Sequence, residues 1–188
     1  MSSRLFPSHI KPVFSWSIAS EAPPSLPPMD GIPYCAASTY AIPNCAYMLT
    51  DVYNSFTKWL KFIGLDRKTG QKQFWHRKFD CENLASLYKS YCDLLHYKTN
   101  PLSFTENSKA KKKNKSDAEG LAVGTIWYDN SKGPNSTSGL PMTAHAVNAI
   151  VTRKPGQKNL SVIYVEPNNG TQVSLTKKEK ESIWYAKF

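Results

Sequence analysis

The apolar residues of this chain follow a helical spacing in its first half and a strand pattern in its second half. Between residues 46 and 63, and again from residue 81 to residue 98, apolar side chains recur every three or four positions, which indicates two amphipathic helices. Segments 121–128, 144–152 and 160–165 are rich in valine, isoleucine and aromatic residues, and Gly, Pro, Asn and Ser clusters separate them. Helices that precede strands in this way predict an α+β fold, with N-terminal helices packed on a small antiparallel sheet.

The length of the chain limits its domain organisation. With 188 residues and 40% hydrophobic content, the chain can bury one well-packed core, and a second full domain is not expected. Residues 1–33 contain seven of the 13 prolines, which disfavour helices and sheet interiors. We predict that residues 1–33 are a proline-rich extended arm that wraps the domain or reaches a partner, and that residues 34–188 form the functional domain.

The charge of the chain is strongly positive and concerns its partners rather than its fold. A net charge of +10 favours anionic partners such as nucleic acid, phospholipid or acidic cell-wall polymers. Five lysines lie between Lys109 and Lys115, and like-charge repulsion predicts a solvated loop there. Contact of this loop with an anionic polymer is the alternative interpretation.

The cysteines and the N-terminus suggest where the chain is made. The four cysteines include no C-x-x-C pair, so neither a zinc site nor a disulfide framework is the first interpretation, although a bridge between Cys35 and Cys45 is one alternative. The first 20 residues do not resemble a secretory signal peptide, and no stretch approaches the roughly 20 apolar residues of a membrane span. We expect synthesis in the cytoplasm, with association with a virion as one further option.

Three short polar segments carry the chemistry. Cys81 begins an amphipathic helix, where free backbone N–H groups and the helix dipole stabilise a thiolate. His145 opens an apolar strand between two alanines, and an imidazole there can take a proton from a thiol. Glu166 ends the next strand, and its carboxylate can accept the second imidazole N–H. Together these residues predict a cysteine nucleophile, a histidine base and an orienting carboxylate.

Each of these residues also has an ordinary structural explanation. A free cysteine is usually a small buried hydrophobe, which suits Cys92 on the apolar face of its helix better than Cys81 among polar neighbours. A single histidine in a strand and a single glutamate at a strand end are common in any sheet. Only the combination favours catalysis.

The residue types of the three segments, and their order along the chain, resemble those of a known family. They read Asp-Cys-x-Asn-Leu-Ala at 80–85, His-Ala-x-Asn at 145–148 and Val-x-x-Val-Glu-Pro-Asn at 162–168. They resemble the papain-like cysteine protease domain at the C-terminus of the fairy-ring mushroom (Marasmius oreades) agglutinin, and related phage and bacterial domains. The resemblance covers roughly residues 70–175. It implies a papain-like fold with Cys81 as nucleophile, His145 as general base and Glu166 as the residue that orients the histidine.

The same resemblance bears on the oxyanion hole and on metals. The family places a side chain shortly before the cysteine to bind the oxyanion, and Trp75 is the candidate by spacing, with a Trp that merely packs helix on sheet as the alternative. The agglutinin domain uses calcium through acidic residues after its cysteine. Here Glu82 is followed by Asn83, a weaker set of oxygen ligands, so calcium dependence is disfavoured and no cofactor is expected to be required.

These observations predict a cysteine peptidase or amidase that cleaves an amide bond in a protein, a peptide or a cell-wall peptide. The first alternative is a non-catalytic structural or interaction protein, such as a phage virion component, on the same scaffold. The second is a nucleic-acid-binding module that relies on the basic charge, although no recognised nucleic-acid motif supports it.

Overall fold

A computed structural model describes residues 4–14, 34–63, 80–99, 119–130, 144–153, 156–168 and 170–188. The helices in this part of the chain are α1 (Pro7–Ile10), α2 (Cys45–Tyr47), α3 (Tyr53–Phe62), α4 (Cys81–Thr99) and α5 (Lys177–Glu181). The strands are β1 (Arg4–Leu5), β2 (Thr39–Ala41), β3 (Glu119–Leu121), β4 (Val123–Asp129), β5 (Ala144–Thr152), β6 (Ser161–Val165), β7 (Gln172–Val173) and β8 (Tyr185–Lys187). A π-helical turn, Met48–Val52, joins α2 to α3 and makes residues 45–62 one continuous helical stretch.

The larger sheet is antiparallel throughout. It places two of the predicted site residues, His145 and Glu166, at the same end. Its strands lie in the order β7-β6-β5-β4-β8. The β4–β5 register sets Tyr128 opposite His145 and Thr125 opposite Asn148, and the β5–β6 register sets Asn148 opposite Val165. Because side chains alternate between the two faces of a strand, Thr125 and Asn148 share one face and Tyr128 and His145 share the other.

Helices α3 and α4 cover the face that bears Thr125 and Asn148. Phe56 and Leu60 of α3 and Tyr88 and Cys92 of α4 are fully buried against it. The Phe56 ring meets the Tyr88 ring edge-on at 5.0 Å, a favourable aromatic geometry. The prediction that Cys92 is a buried structural cysteine is confirmed, because none of its surface is exposed.

The opposite face of the sheet is covered in part by the N-terminal segment. Strand β1 pairs with β2, Pro7 begins a single helical turn, and Ile10 and Phe14 are buried in the core. Proline suits the first turn of a helix because its missing N–H needs no partner there. Residues 4–14 of the predicted extended arm therefore pack as part of the domain, with a strand and a helical turn that the proline content did not suggest. The remaining arm residues, 1–3 and 15–33, lie outside the described residues, and the boundary at residue 34 stays a prediction.

A second, smaller sheet was not predicted. Its order is β1-β2-β3, with β2 and β3 parallel across a long separation in sequence. The predicted strand 121–128 is in fact two strands that part at Ala122, so that β3 joins the small sheet and β4 the large one. Gly120 lets this sheet close, because a Cβ there would lie 2.8 Å from the Tyr40 ring.

None of the four cysteines, all of which the structure describes, forms a disulfide, so the alternative of a bridge between Cys35 and Cys45 is wrong. Within the described ranges, no helix is both long and apolar enough to cross a membrane. The predicted α+β class, with N-terminal helices on an antiparallel sheet, is confirmed.

Candidate active site

Helix α4 holds Cys81 at its first position through a cap built from its neighbours. The Asp80 carboxylate accepts the Glu82 backbone N–H at 3.2 Å, and the Asn83 side-chain oxygen accepts the Asp80 backbone N–H at 3.1 Å. This reciprocal pair caps the helix in the manner of a capping box. As the first residue inside the helix, Cys81 has a backbone N–H without an intrahelical acceptor. The cap thus fixes the backbone at Cys81 and leaves this N–H available to a ligand.

Strand β5 carries His145 near its start, half-buried beside an aromatic ring. Tyr128 lies opposite it in the register, and the two rings meet nearly perpendicular, with centroids 5.7 Å apart and an interplanar angle of 73°. Burial raises the pKa of Tyr128, and the negative charges of Glu179, Glu166 and Cys81 add to this effect. Tyr128 is therefore an uncharged ring that packs against the imidazole.

Glu166 follows β6 and makes two hydrogen bonds that fix its carboxylate. One oxygen, Oε2, lies 2.7 Å from Nε2 of His145, and the other, Oε1, accepts the Asn168 backbone N–H at 3.0 Å. The turn that holds Glu166 closes when the Gly170 N–H donates to the Glu166 carbonyl at 2.7 Å. The His145 and Glu166 side chains are only 18% and 14% exposed, so solvent weakens their interaction little.

Cys81 is the third member of this set. It lies close enough to the imidazole to affect the pKa of His145, and because Glu166 takes Nε2, the nitrogen left for Cys81 is Nδ1. Burial alone would lower the pKa of His145, but the hydrogen bonds to Cys81 and Glu166 and the negative charges of both groups outweigh it and raise this pKa to about 9. The imidazole thus favours its charged form at neutral pH, which is the form that stabilises a neighbouring thiolate.

The residue next to the thiol is a partly buried carboxyl. Burial raises the pKa of Glu82, and the charge of Asp80 adds to this rise.

The structure therefore brings together Cys81, His145 and Glu166, while Trp75 and the Lys109–Lys115 region lie outside the described residues. Sequence reasoning missed the cap formed by Asp80 and Asn83, although an Asp three residues before an Asn at a helix start is a signal for one. It also missed Tyr128, whose place depends on the strand register. Within the described ranges, no group of three or more His, Cys, Asp or Glu side chains could hold a metal ion.

No protein-family model and no curated protein matches this chain. Among solved structures, the chain is similar to Polyporus squamosus lectin, in a crystal structure bound to the human-type influenza-binding epitope Neu5Aca2-6Galb1-4GlcNAc, with a TM-score of 0.57 and 15% identity over 100% of this chain and 50% of the lectin. It is also similar to a PSL1a-E64 complex, with a TM-score of 0.49 and 18% identity over 82% of this chain and 42% of that one. This chain spans about half the length of the lectin it matches. The likeness concerns the fold, and the predicted α+β architecture is confirmed.

Proposed function

We propose that this protein is a cysteine hydrolase that cleaves an amide bond with Cys81 as nucleophile, His145 as general acid and base, and Glu166 as the group that orients His145. The observations that carry the proposal are the 2.7 Å contact between the Glu166 carboxylate and Nε2 of His145, and the place of Cys81 beside the same imidazole. A nucleophile, a base and an orienting group in this order are the arrangement that covalent catalysis requires.

In the first half of the reaction, the Cys81 thiolate attacks the amide carbonyl carbon and forms a carbon–sulfur bond. The carbonyl electrons move to oxygen and give a tetrahedral oxyanion. When this intermediate collapses, the carbon–nitrogen bond breaks, the proton of the His145 imidazolium passes to the departing amine, and a thioester remains on Cys81.

In the second half, the neutral imidazole removes a proton from a water molecule, and the resulting oxygen nucleophile attacks the thioester. The carbon–sulfur bond breaks, the acid product leaves, and the thiolate and imidazolium are restored. Glu166 supports both halves, because its contact with Nε2 holds the ring so that Nδ1 faces the thiol, and its charge stabilises the imidazolium.

The oxyanion needs hydrogen-bond donors aimed at its developing charge. The backbone N–H of Cys81 is one donor, because it lies at the helix start with no intrahelical acceptor. We propose the indole N–H of Trp75 as the second donor, on its spacing before the cysteine.

A peptide bond is the first substrate class we propose, and an amide of a cell-wall peptide is the second. The net charge of +10 favours an anionic surrounding polymer for the second class. Neither class is proposed to need a metal or another cofactor.

The first test is the rate of iodoacetamide alkylation at each cysteine as a function of pH, resolved by mass spectrometry, in wild type and His145→Ala. We expect Cys81 to react fast below pH 7 and to slow without His145. The buried Cys92 is an internal control and should stay unreactive in the folded protein. A Cys81 that titrates like an ordinary thiol, near pH 8.5, would refute the proposal and favour a non-catalytic interaction protein.

A further inference from the structure

The proposed reaction leaves one residue close to the site unused, the asparagine that ends the His-Ala-x-Asn segment. Asn148 is fully buried. Its side-chain N–H group donates to the Ala85 carbonyl at 2.8 Å and to the Gly124 carbonyl at 3.3 Å. A buried amide that bonds two backbone carbonyls on different elements ties those elements together.

Through the bond to Ala85, Asn148 joins α4, which carries the nucleophile, to its own strand β5, which carries the base. Ala85 lies one helical turn after Cys81 in α4, and Asn148 lies three residues after His145 in β5. Thr125 of β4 adds a second bond to the same carbonyl, at 3.3 Å. Two neighbouring strands therefore hold one carbonyl group in the early part of helix α4.

Apolar packing also holds α4 against the sheet, through buried side chains such as Leu84 and Tyr88. Ala85 of α4 and Ala146 of β5 are buried too, and their side chains are short. Apolar contacts have no preferred direction. The bond from Asn148 therefore adds a directional constraint to this packing.

Stability alone does not account for an asparagine at this position. Among the described residues, its side-chain oxygen Oδ1 is buried without a hydrogen-bond partner, which is an unfavourable state for a carbonyl. An apolar residue of similar size would avoid this cost, and the Ala85 carbonyl would keep its helical donor and Thr125.

We propose that Asn148 is a positioning residue, whose bond to the Ala85 carbonyl sets the first turn of α4 against β5 and so holds the Cys81 sulfur at His145. The inference rests on the proposed function, since it concerns the contact between the same two residues. Asn148 touches neither the thiol nor the imidazole, and acts through the backbone of helix α4.

The test compares the pH profile of Cys81 alkylation in wild type, Asn148→Leu and Thr152→Val. Leucine is close to asparagine in size and cannot donate a hydrogen bond. Thr152 is the matched control, because it is also fully buried on β5 and donates to a backbone carbonyl, that of Pro43 at 2.7 Å, away from the start of α4. Thermal unfolding of each variant is recorded alongside.

In Asn148→Leu we expect Cys81 alkylation near neutral pH to fall about tenfold and its profile to move toward that of a free thiol, while Thr152→Val keeps the wild-type profile. Asn148→Ala, which adds no bulk, serves if the leucine variant does not fold. An unchanged profile in the Asn148 variant, or an equal shift in Thr152→Val, would overturn the inference.

The His145→Ala variant separates the two proposals. If wild-type Cys81 depends on His145 and the Asn148 variant keeps that dependence in full, only the positioning role is refuted. If wild-type Cys81 reacts as an ordinary thiol, the proposed function is refuted and the positioning role with it.

Discussion

At the scale of single residues, opposing effects set the charge of His145. Burial disfavours the imidazolium, while Cys81 and Glu166 favour it strongly enough to bring the pKa to about 9. Glu166→Gln removes one of the two negative charges and keeps the shape of the side chain. We therefore expect the pKa of His145 to fall and Cys81 alkylation at neutral pH to slow, as measured by NMR titration of the imidazole and by mass spectrometry.

Glu181→Gln is the matched control for this change, because its side chain lies on α5, is 49% exposed and pairs only loosely with Lys177 at 3.7 Å. That variant should leave the pKa of His145 unchanged. A pKa that stays near 9 in Glu166→Gln would show that the carboxylate does not support the imidazolium.

The raised pKa of His145 also predicts how stability depends on pH once the thiol is gone. In the proposed wild-type pair, Cys81 gives its proton to His145 and the number of bound protons is unchanged, so the pair adds little pH dependence. In Cys81→Ser, we expect Glu166 to keep the pKa of the folded imidazole above that of the unfolded chain, near 6.5, against the effect of burial. The stabilisation expected from this shift is complete below about pH 6.5 and is lost as pH rises through the folded pKa.

Urea unfolding of Cys81→Ser at about pH 6 and about pH 9 measures this loss. The double variant Cys81→Ser with His145→Gln should lose less stability over the same range, since it has no imidazole to titrate. If the free energy of unfolding of Cys81→Ser rises from pH 6 to pH 9 relative to that of the double variant, the pKa of His145 is not raised in the folded state.

At the scale of elements, the turn that carries Glu166 depends on a glycine that packs against α3. Gly170 has a φ of +70°, and a Cβ there would overlap the ring of Tyr53 at the start of α3. Gly170→Ala should therefore cost both the backbone penalty, about 1–2 kcal/mol, and the displacement of the Tyr53 ring. The free energy of unfolding in urea gives the total.

Gly156 separates the backbone penalty from the cost of displacing a ring. Its φ is +77°, and a Cβ there would meet nothing within 4 Å. Gly156→Ala should show the backbone penalty alone. In a Tyr53→Ala background, the cost of Gly170→Ala should fall toward that of Gly156→Ala. Equal costs for Gly170→Ala in both backgrounds would mean that Tyr53 does not hold the turn.

Sequence periodicity predicted some elements well because their signals are local. Helix α4 begins at Cys81 and ends at Thr99, as the apolar spacing and the proline at 101 indicate. Strands β5 and β6 were also predicted within a residue, and their short antiparallel connection explains why His145 and Glu166 could be expected at one edge. The short strands at 39–41, 172–173 and 185–187 have too few residues to show alternation, and none was predicted.

At the scale of the whole molecule, what the sequence could not show is pairing between distant segments. The parallel contact of β2 with β3 joins residues about 80 positions apart and depends on the closed tertiary structure rather than on local pattern. The same is true of the bond from Asn148 to Ala85, which needs both the register of β5 and the orientation of α4. Composition also did not show the burial of Ile10 and Phe14, because a proline-rich segment can pack on a core wherever its few apolar residues find a site.

The burial of Phe14 allows a test of whether residues 4–14 belong to the folded core. Phe14 is 5% exposed, and its ring lies 5.4 Å from that of Phe188 at the other end of the chain. If residues 4–14 are part of the folded core, Phe14→Ala should lower the free energy of unfolding by about 3 kcal/mol, measured by urea unfolding. Phe6→Ala is the control, because Phe6 lies in the same segment but is 46% exposed, and it should cost less than about 1 kcal/mol. Equal, small costs for the two variants would mean that the stability of the domain does not depend on residues 4–14.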